Sequence, residues 1–241
     1  PSAFEDASLR ALSLLAGAAL LGASLRAGTR PSVGLFPKDS FRLKTVLGSG
    51  FWVLFLMSYA HALGSVYLAY VAINLWRHEP TFAGFIVVTM PLAWSLVAML
   101  IGSLRSDRLR EVCLHYGPYQ MVPGCILLGL GLSTGSSVEM LLGQILIGSA
   151  FGMSWAGISQ AAMEAAPEEE RKMTGALLPT VATLGAAAGA GASGTVAAAT
   201  DLVTQIDRAD VTMPMMYLYG LGVVVSLLAI FTARGLRGGK R

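Results

Sequence analysis

The sequence predicts an all-α, polytopic membrane protein with about seven transmembrane helices. Three observations predict it. Seven long apolar stretches alternate with short polar ones. Only 13% of the residues are charged, against the roughly 25% usual in a soluble domain. The positive charge is also one-sided. With the second polar stretch in the cytoplasm, 14 of the 17 Lys and Arg fall on cytoplasmic segments and 3 on the opposite side. Membrane insertion sorts bases in this way.

A span needs about 20 apolar residues, which places helices at 8–27, 48–74, 80–104, 119–134, 137–162, 173–200 and 212–233. The first stretch is long enough to span and does not read as a signal peptide. The chain opens on Pro1 without an initiator Met, as a processed chain or the middle of a longer one would. Segment 28–47 carries Arg30, Lys38, Arg42 and Lys44, with Pro31 and Pro37 to break regular helix. It reads as a cytoplasmic amphipathic connector whose Leu35, Phe36 and Phe41 dip into the headgroup layer. Segment 105–118 holds Arg105, Arg108 and Arg110, segment 163–172 holds Arg171 and Lys172, and the tail 234–241 holds Arg234, Arg237, Lys240 and Arg241. These form the inner side. Arg10, Arg77 and Arg208 stand outside among Glu5, Asp6, Glu79, Asp201, Asp207 and Asp210. The N-terminus is therefore expected outside and the C-terminus in the cytoplasm.

The net charge of +3 does not point to nucleic acid, because the bases sit at helix ends, where they meet anionic lipid. Cys113 and Cys125, one in a loop and one in or near a helix, are not expected to pair. No zinc spacing, nucleotide loop, catalytic triad or paired-carboxylate site emerges, so no metal, cofactor or enzyme activity is expected.

Helix 48–74 is the least lipid-like span. His61 lies near its centre, with Ser58, Tyr59, Ser65, Tyr67, Tyr70 and Asn74 around it. An ionisable group at membrane depth belongs against protein or water, and imidazole changes charge near neutral pH. Ser58, His61, Tyr67, Tyr70 and Asn74 are therefore candidate pathway residues, and a neutral His61 bonded to another helix is the structural alternative. Gln144 joins the candidates from helix 137–162, with a packing hydrogen bond as its alternative. Glu139 suits the positive N-terminal end of that helix. Trp94 and Trp155 lie in span interiors, where aromatic rings line an apolar cavity or pack; Trp76 fits the outer interface and Trp52 the inner one.

Helix 173–200 is rich in Gly and Ala. Pro179, Gly185, Gly189 and Gly194 are its expected packing residues, since small residues at a spacing of four bring two helices together backbone to backbone. The proline supplies a bend. The surface suits either a helix that rocks or a static contact.

At residues 102–110, "GSLRSDRLR" resembles the cytoplasmic motif of the major facilitator superfamily, roughly G-x-L-x-D-R-x-G-R-R. Gly102, Leu104, Asp107 and Arg108 align after one extra spacing at Arg105–Ser106. Arg110 takes a later basic position, and Leu109 stands where the family has its middle glycine. "RPSVGLFPKDSFR" resembles the segment before the family's seventh core helix. Residues 143–196 resemble the tenth and eleventh core helices of the drug:proton antiporters with 14 spans, through Pro167, Glu168, Glu170, Arg171, Leu184, Gly185, Gly189, Gly194 and Thr195. Ala182–Thr183 replaces the usual Arg-Gln.

The resemblance implies that 48–233 is a major-facilitator-type C-terminal half-bundle of six helices and that 1–27 carries an extra span. Gly102, Asp107, Arg108 and Arg110 would form a cytoplasmic latch that is made and broken on rocking. It further implies proton-coupled efflux of a small, amphiphilic solute across a bacterial inner membrane. Only one half is present, and the family's pathway runs between two. The expected partners are the lipid bilayer and a complementary membrane half or other membrane subunits. A non-transporting scaffold or assembly subunit derived from the same fold is the alternative.

Overall fold

A computed structural model describes the backbone at residues 36–37, 40–202 and 208–239 and at the helical positions 17, 19, 22 and 23; side chains at Asp107, 208–210 and 237–239 fall outside it. The predicted helix over 8–27 otherwise lies outside the described residues, as do Leu35 and the bases Arg30 and Lys38. Among the described residues the fold is all-helical, with five helices long and apolar enough to cross a membrane.

Helix α1 (Val46–Asn74) starts where Thr45 caps it, its hydroxyl oxygen accepting from the Gly48 N–H at 3.2 Å. The end of the connector folds back on this start. Ser49 Oγ donates to Leu43 O at 2.8 Å and Trp52 Nε1 to Phe41 O at 3.2 Å. Gly48 makes this approach possible, because a Cβ there would strike the Arg42 backbone.

Helix α2 (Pro80–Ser103) opens with proline at its first position, where the missing N–H costs nothing. Residues 105–118, expected as a loop, instead contain helix α3 (Asp107–Tyr116), capped by Ser106. Its sequence, DRLREVCLHY, has too little apolar length to register as a span, yet one face packs. Gly157 leaves room for Leu114, which is buried. Cys113 thus stands on a helix.

A 3-10 turn at Gly117–Gln120 leads into α4 (Met121–Thr134). Fourteen α-helical residues rise about 21 Å, and the 3-10 turn adds about 8 Å. Gly135, at φ 79°, ends α4 by donating to Gly131 O at 2.8 Å. The left-handed conformation is one that glycine adopts freely. Ser136 then caps α5 (Ser137–Ala165), and Thr134 Oγ1 donates to Glu139 at 3.2 Å in the first turn. Trp76 lies over Gly135 and donates to Leu132 O at 2.8 Å, which ties the α1–α2 connection to this hairpin.

Helix α6 (Arg171–Ala199) follows a turn at Glu168–Glu170, and α7 (Arg208–Ala233) completes the bundle. Helices α2, α6 and α7 run on through Pro91, Pro179 and Pro214.

Central α1 is the most buried of the long helices, and α2 and α6 are the least. The most extensive packing joins α2 to α5 and α1 to α6. The next joins α1 to α7, α4 to α5 and α4 to α7. These pairs obey an internal symmetry. Matching α1, α2 and α4 with α5, α6 and α7 turns the α2–α5 pair into α6–α1 and the α4–α5 pair into α7–α1, while α4–α7 maps onto itself. Long helices alternate in direction, so the two triplets are inverted with respect to each other. Tyr219 closes the back, lying over Gly64 of α1 and Gly129 of α4.

Candidate functional site

The site is built on two parallel helix pairs. In the first, Gly148 and Gly152 of α5 face the α2 backbone. A Cβ on Gly148 would strike Met90 O, and one on Gly152 would lie 2.8 Å from Trp94 O. One turn earlier, Gln144 Nε2 donates to Ile86 O at 3.2 Å and Val87 O at 3.4 Å. Gln144 is 1% exposed, so it bonds helix to helix rather than lining an open path. This corrects its placement among the pathway candidates.

The close approach brings α2 aromatics onto α5. Trp94 lies 5.2 Å from Phe151 and 5.6 Å from Trp155, centroid to centroid. On α1, the half-buried His61 stands edge-on to Phe151 at 6.0 Å and 72°. It has no hydrogen-bond partner among the described residues. One imidazole therefore joins an aromatic cluster drawn from three helices. Such a cluster offers ring faces to a cation and one imidazole. Ser58, one turn before His61, is buried.

In the second pair, Gly185 and Gly189 of α6 face the α1 carbonyls of Phe55 and Tyr59, and Ser193 Oγ donates to Leu63 O at 2.6 Å. Tyr67 and Tyr70 continue this stripe of α1 and lie 6.5 Å apart. Asn74 is exposed and donates to Tyr70 O at 2.9 Å. The expected pathway set is thus divided. His61 faces α5, whereas Tyr67, Tyr70 and Asn74 follow the α6 side. Gly194 is corrected as a packing residue: nothing lies within 4 Å of a Cβ built there. Pro179 is exposed on the same helix.

At the end of the bundle where α1 begins, Arg110 donates to Gly102 O at 3.2 Å and ties α3 to the end of α2. Arg108 is exposed, and the carboxylate of Asp107 lies outside the described side chains. Gly102, Arg108 and Arg110 therefore share one helix junction.

Two residues escaped sequence reasoning. Phe151 sits in the run GSAFGMSW, one turn before Trp155, which was a usable signal. Ser193 continues the four-residue spacing of Gly185 and Gly189. Compared with protein-family models, curated proteins and solved structures, the chain matches none.

Proposed function

We propose that this chain is one six-helix half of a major-facilitator-type transporter and moves a small amphiphilic solute by proton-coupled efflux. The observation that carries this reading is the inverted pairing of α1, α2 and α4 with α5, α6 and α7. Inverted triplets of helices within each half are a property of that superfamily. In this reading α4 crosses the membrane together with its leading 3-10 turn, since their combined rise is close to the roughly 30 Å hydrocarbon thickness. The segment over 8–27 supplies the seventh span. The N-terminus lies outside a bacterial inner membrane and the basic tail lies in the cytoplasm.

The aromatic cluster with His61 is the solute and proton contact on this half. The Arg110–Gly102 bond is the part of the cytoplasmic latch that this half contributes. The broad exposed faces of α2 and α6 suit a second half packed across the pathway. The weakly charged surroundings favour solutes with an apolar body.

Native mass spectrometry of the gently solubilised protein, with every partner identified, tests the reading. A mass equal to this chain plus a complementary six-helix half is expected. In vesicles that contain both, His61→Phe should abolish efflux driven by a proton gradient and leave assembly intact. Assembly with unrelated membrane subunits and no second half would overturn the transport reading in favour of a scaffold.

A further inference from the structure

Helix α3 carries apolar residues on two opposite faces. On one, Leu114 is buried against α5 in the room that Gly157 leaves. On the other, Leu109, Val112 and Tyr116 are 50%, 44% and 54% exposed. At about 100° per residue these three fall within about 60° of one another and about 140° or more from Leu114. Tyr119 is exposed too, and its ring lies 5.7 Å from that of Tyr116, so it extends the same stripe. A helix that lies on a folded surface needs one apolar face. A second face on the far side calls for another apolar phase beside it.

The chain holds α3 where such a phase is at hand. Leu104, Arg105 and Ser106 are all that separates it from the end of α2 at Ser103, and the turn at Gly117–Gln120 joins it directly to α4. The Arg110 bond to Gly102 O keeps it at that junction. Both ends of α3 are thus held at the depth where α2 leaves the membrane and α4 enters it. The charge beside the stripe is basic. Arg105 and Arg108 are exposed and precede Leu109 and Val112 by four residues each. Asp107 and Glu111 occupy positions on the half of the helix that carries Leu114. Bases beside an apolar stripe suit the surface of an anionic bilayer, and tyrosines suit its headgroup level.

We propose that α3 is an interfacial helix seated on anionic phospholipid. Leu109, Val112, Tyr116 and Tyr119 lie at the boundary between headgroups and acyl chains, and Arg105 and Arg108 take lipid phosphates. The inference rests on the reading that α2 and α4 cross the membrane, and it is independent of transport.

Contact quenching in nanodiscs made of equal amounts of phosphatidylcholine and phosphatidylglycerol tests it. The full chain carries an NBD fluorophore at Val112→Cys in a Cys113→Ser background, since Cys125 is buried. A second protein carries it at Val224→Cys, on the exposed face midway along α7. The quencher is either lipid with a nitroxide near its headgroup or deep in its chain. At position 112 the shallow nitroxide should quench more than the deep one. The anionic lipid should quench at least about fivefold more effectively than the zwitterionic one, the worth of a single surface base. Arg105→Gln together with Arg108→Gln should bring the two lipids level. Quenching at 224 with none at 112 overturns the proposal and leaves the membrane reading standing; aqueous iodide then tells whether water or another protein covers the face. Quenching at neither position overturns both. Equal quenching by the two lipids in the parent, or a lipid preference unchanged in the double variant, also overturns the proposal.

Discussion

The α2–α5 and α1–α6 pairs are alike in backbone and unlike in their surroundings. In each pair, two glycines four residues apart on one helix face carbonyls of the other, and a polar side chain donates to the carbonyl one turn beyond. Around the α2–α5 contact the aromatic rings come from both helices: Trp94 from one, Phe151 and Trp155 from the other. Around the α1–α6 contact they come from α1 alone. Trp52, Phe55 and Tyr59 line that side, and α6 contains no aromatic residue. One pair is interlocked and the other is a smooth face laid on a ridged one. Small residues set how closely two helices approach, and their bulky neighbours set how firmly the pair is held. Under the proposed transport function, α6 would be the helix that shifts.

The comparison breaks most sharply on bulk. Gly148→Leu and Gly185→Leu each force a side chain into backbone, with an expected cost of about 3 kcal/mol. Their consequences should differ. Gly148→Leu should unfold the bundle, because Trp94 and Phe151 prevent α2 from moving away. Gly185→Leu should release α6 and leave the rest folded. Hydrogen exchange resolved by helix separates these outcomes, and equal exchange across α6 and α2 in both variants would refute the contrast.

The next effect concerns hydrogen bonding. Ser193→Ala removes a short buried bond to Leu63 O and should cost about 1 kcal/mol in denaturant titration. Smaller and opposite in sign, Gly191→Ala should stabilise α6 by about 0.5 kcal/mol, since a Cβ there meets nothing within 4 Å and alanine favours helix. A destabilised Gly191→Ala protein would mean that this face is already covered.

The smallest effect belongs to Gln144→Leu, with an expected change of about zero. Its bonds to α2 are long, and its Oε1 is buried without a partner among the described residues. Removing that unpaired oxygen offsets the lost bonds. A cost above about 2 kcal/mol would show that Gln144 has a second partner.

Much of this architecture is legible in the chain. The helix limits follow from apolar length and from punctuation such as Thr45, Pro80, Gly135 and Ser136. Gly185 and Gly189 are readable as a contact from their spacing. Gly194 misleads because it lies one residue past Ser193, about 100° around the helix. Helix α3 is invisible to hydropathy because only one face of ten residues packs. For the candidate site, the sequence marks His61 as an imidazole at membrane depth, and the spacing of Phe151 and Trp155 marks an aromatic face on α5, but nothing in the sequence pairs the two.

The sequence by itself determined the all-helical class, the long apolar helices and where they start and stop. Each of these depends on residues within a turn or two of one another, through capping, proline placement and the solvation of apolar runs. Only the tertiary structure decided that α5 pairs with α2 and α6 with α1, and that Gln144 faces a backbone and not a path. Those outcomes depend on which helix faces meet. That is set by the fit of small residues against a distant backbone, and nothing in the local sequence encodes the partner.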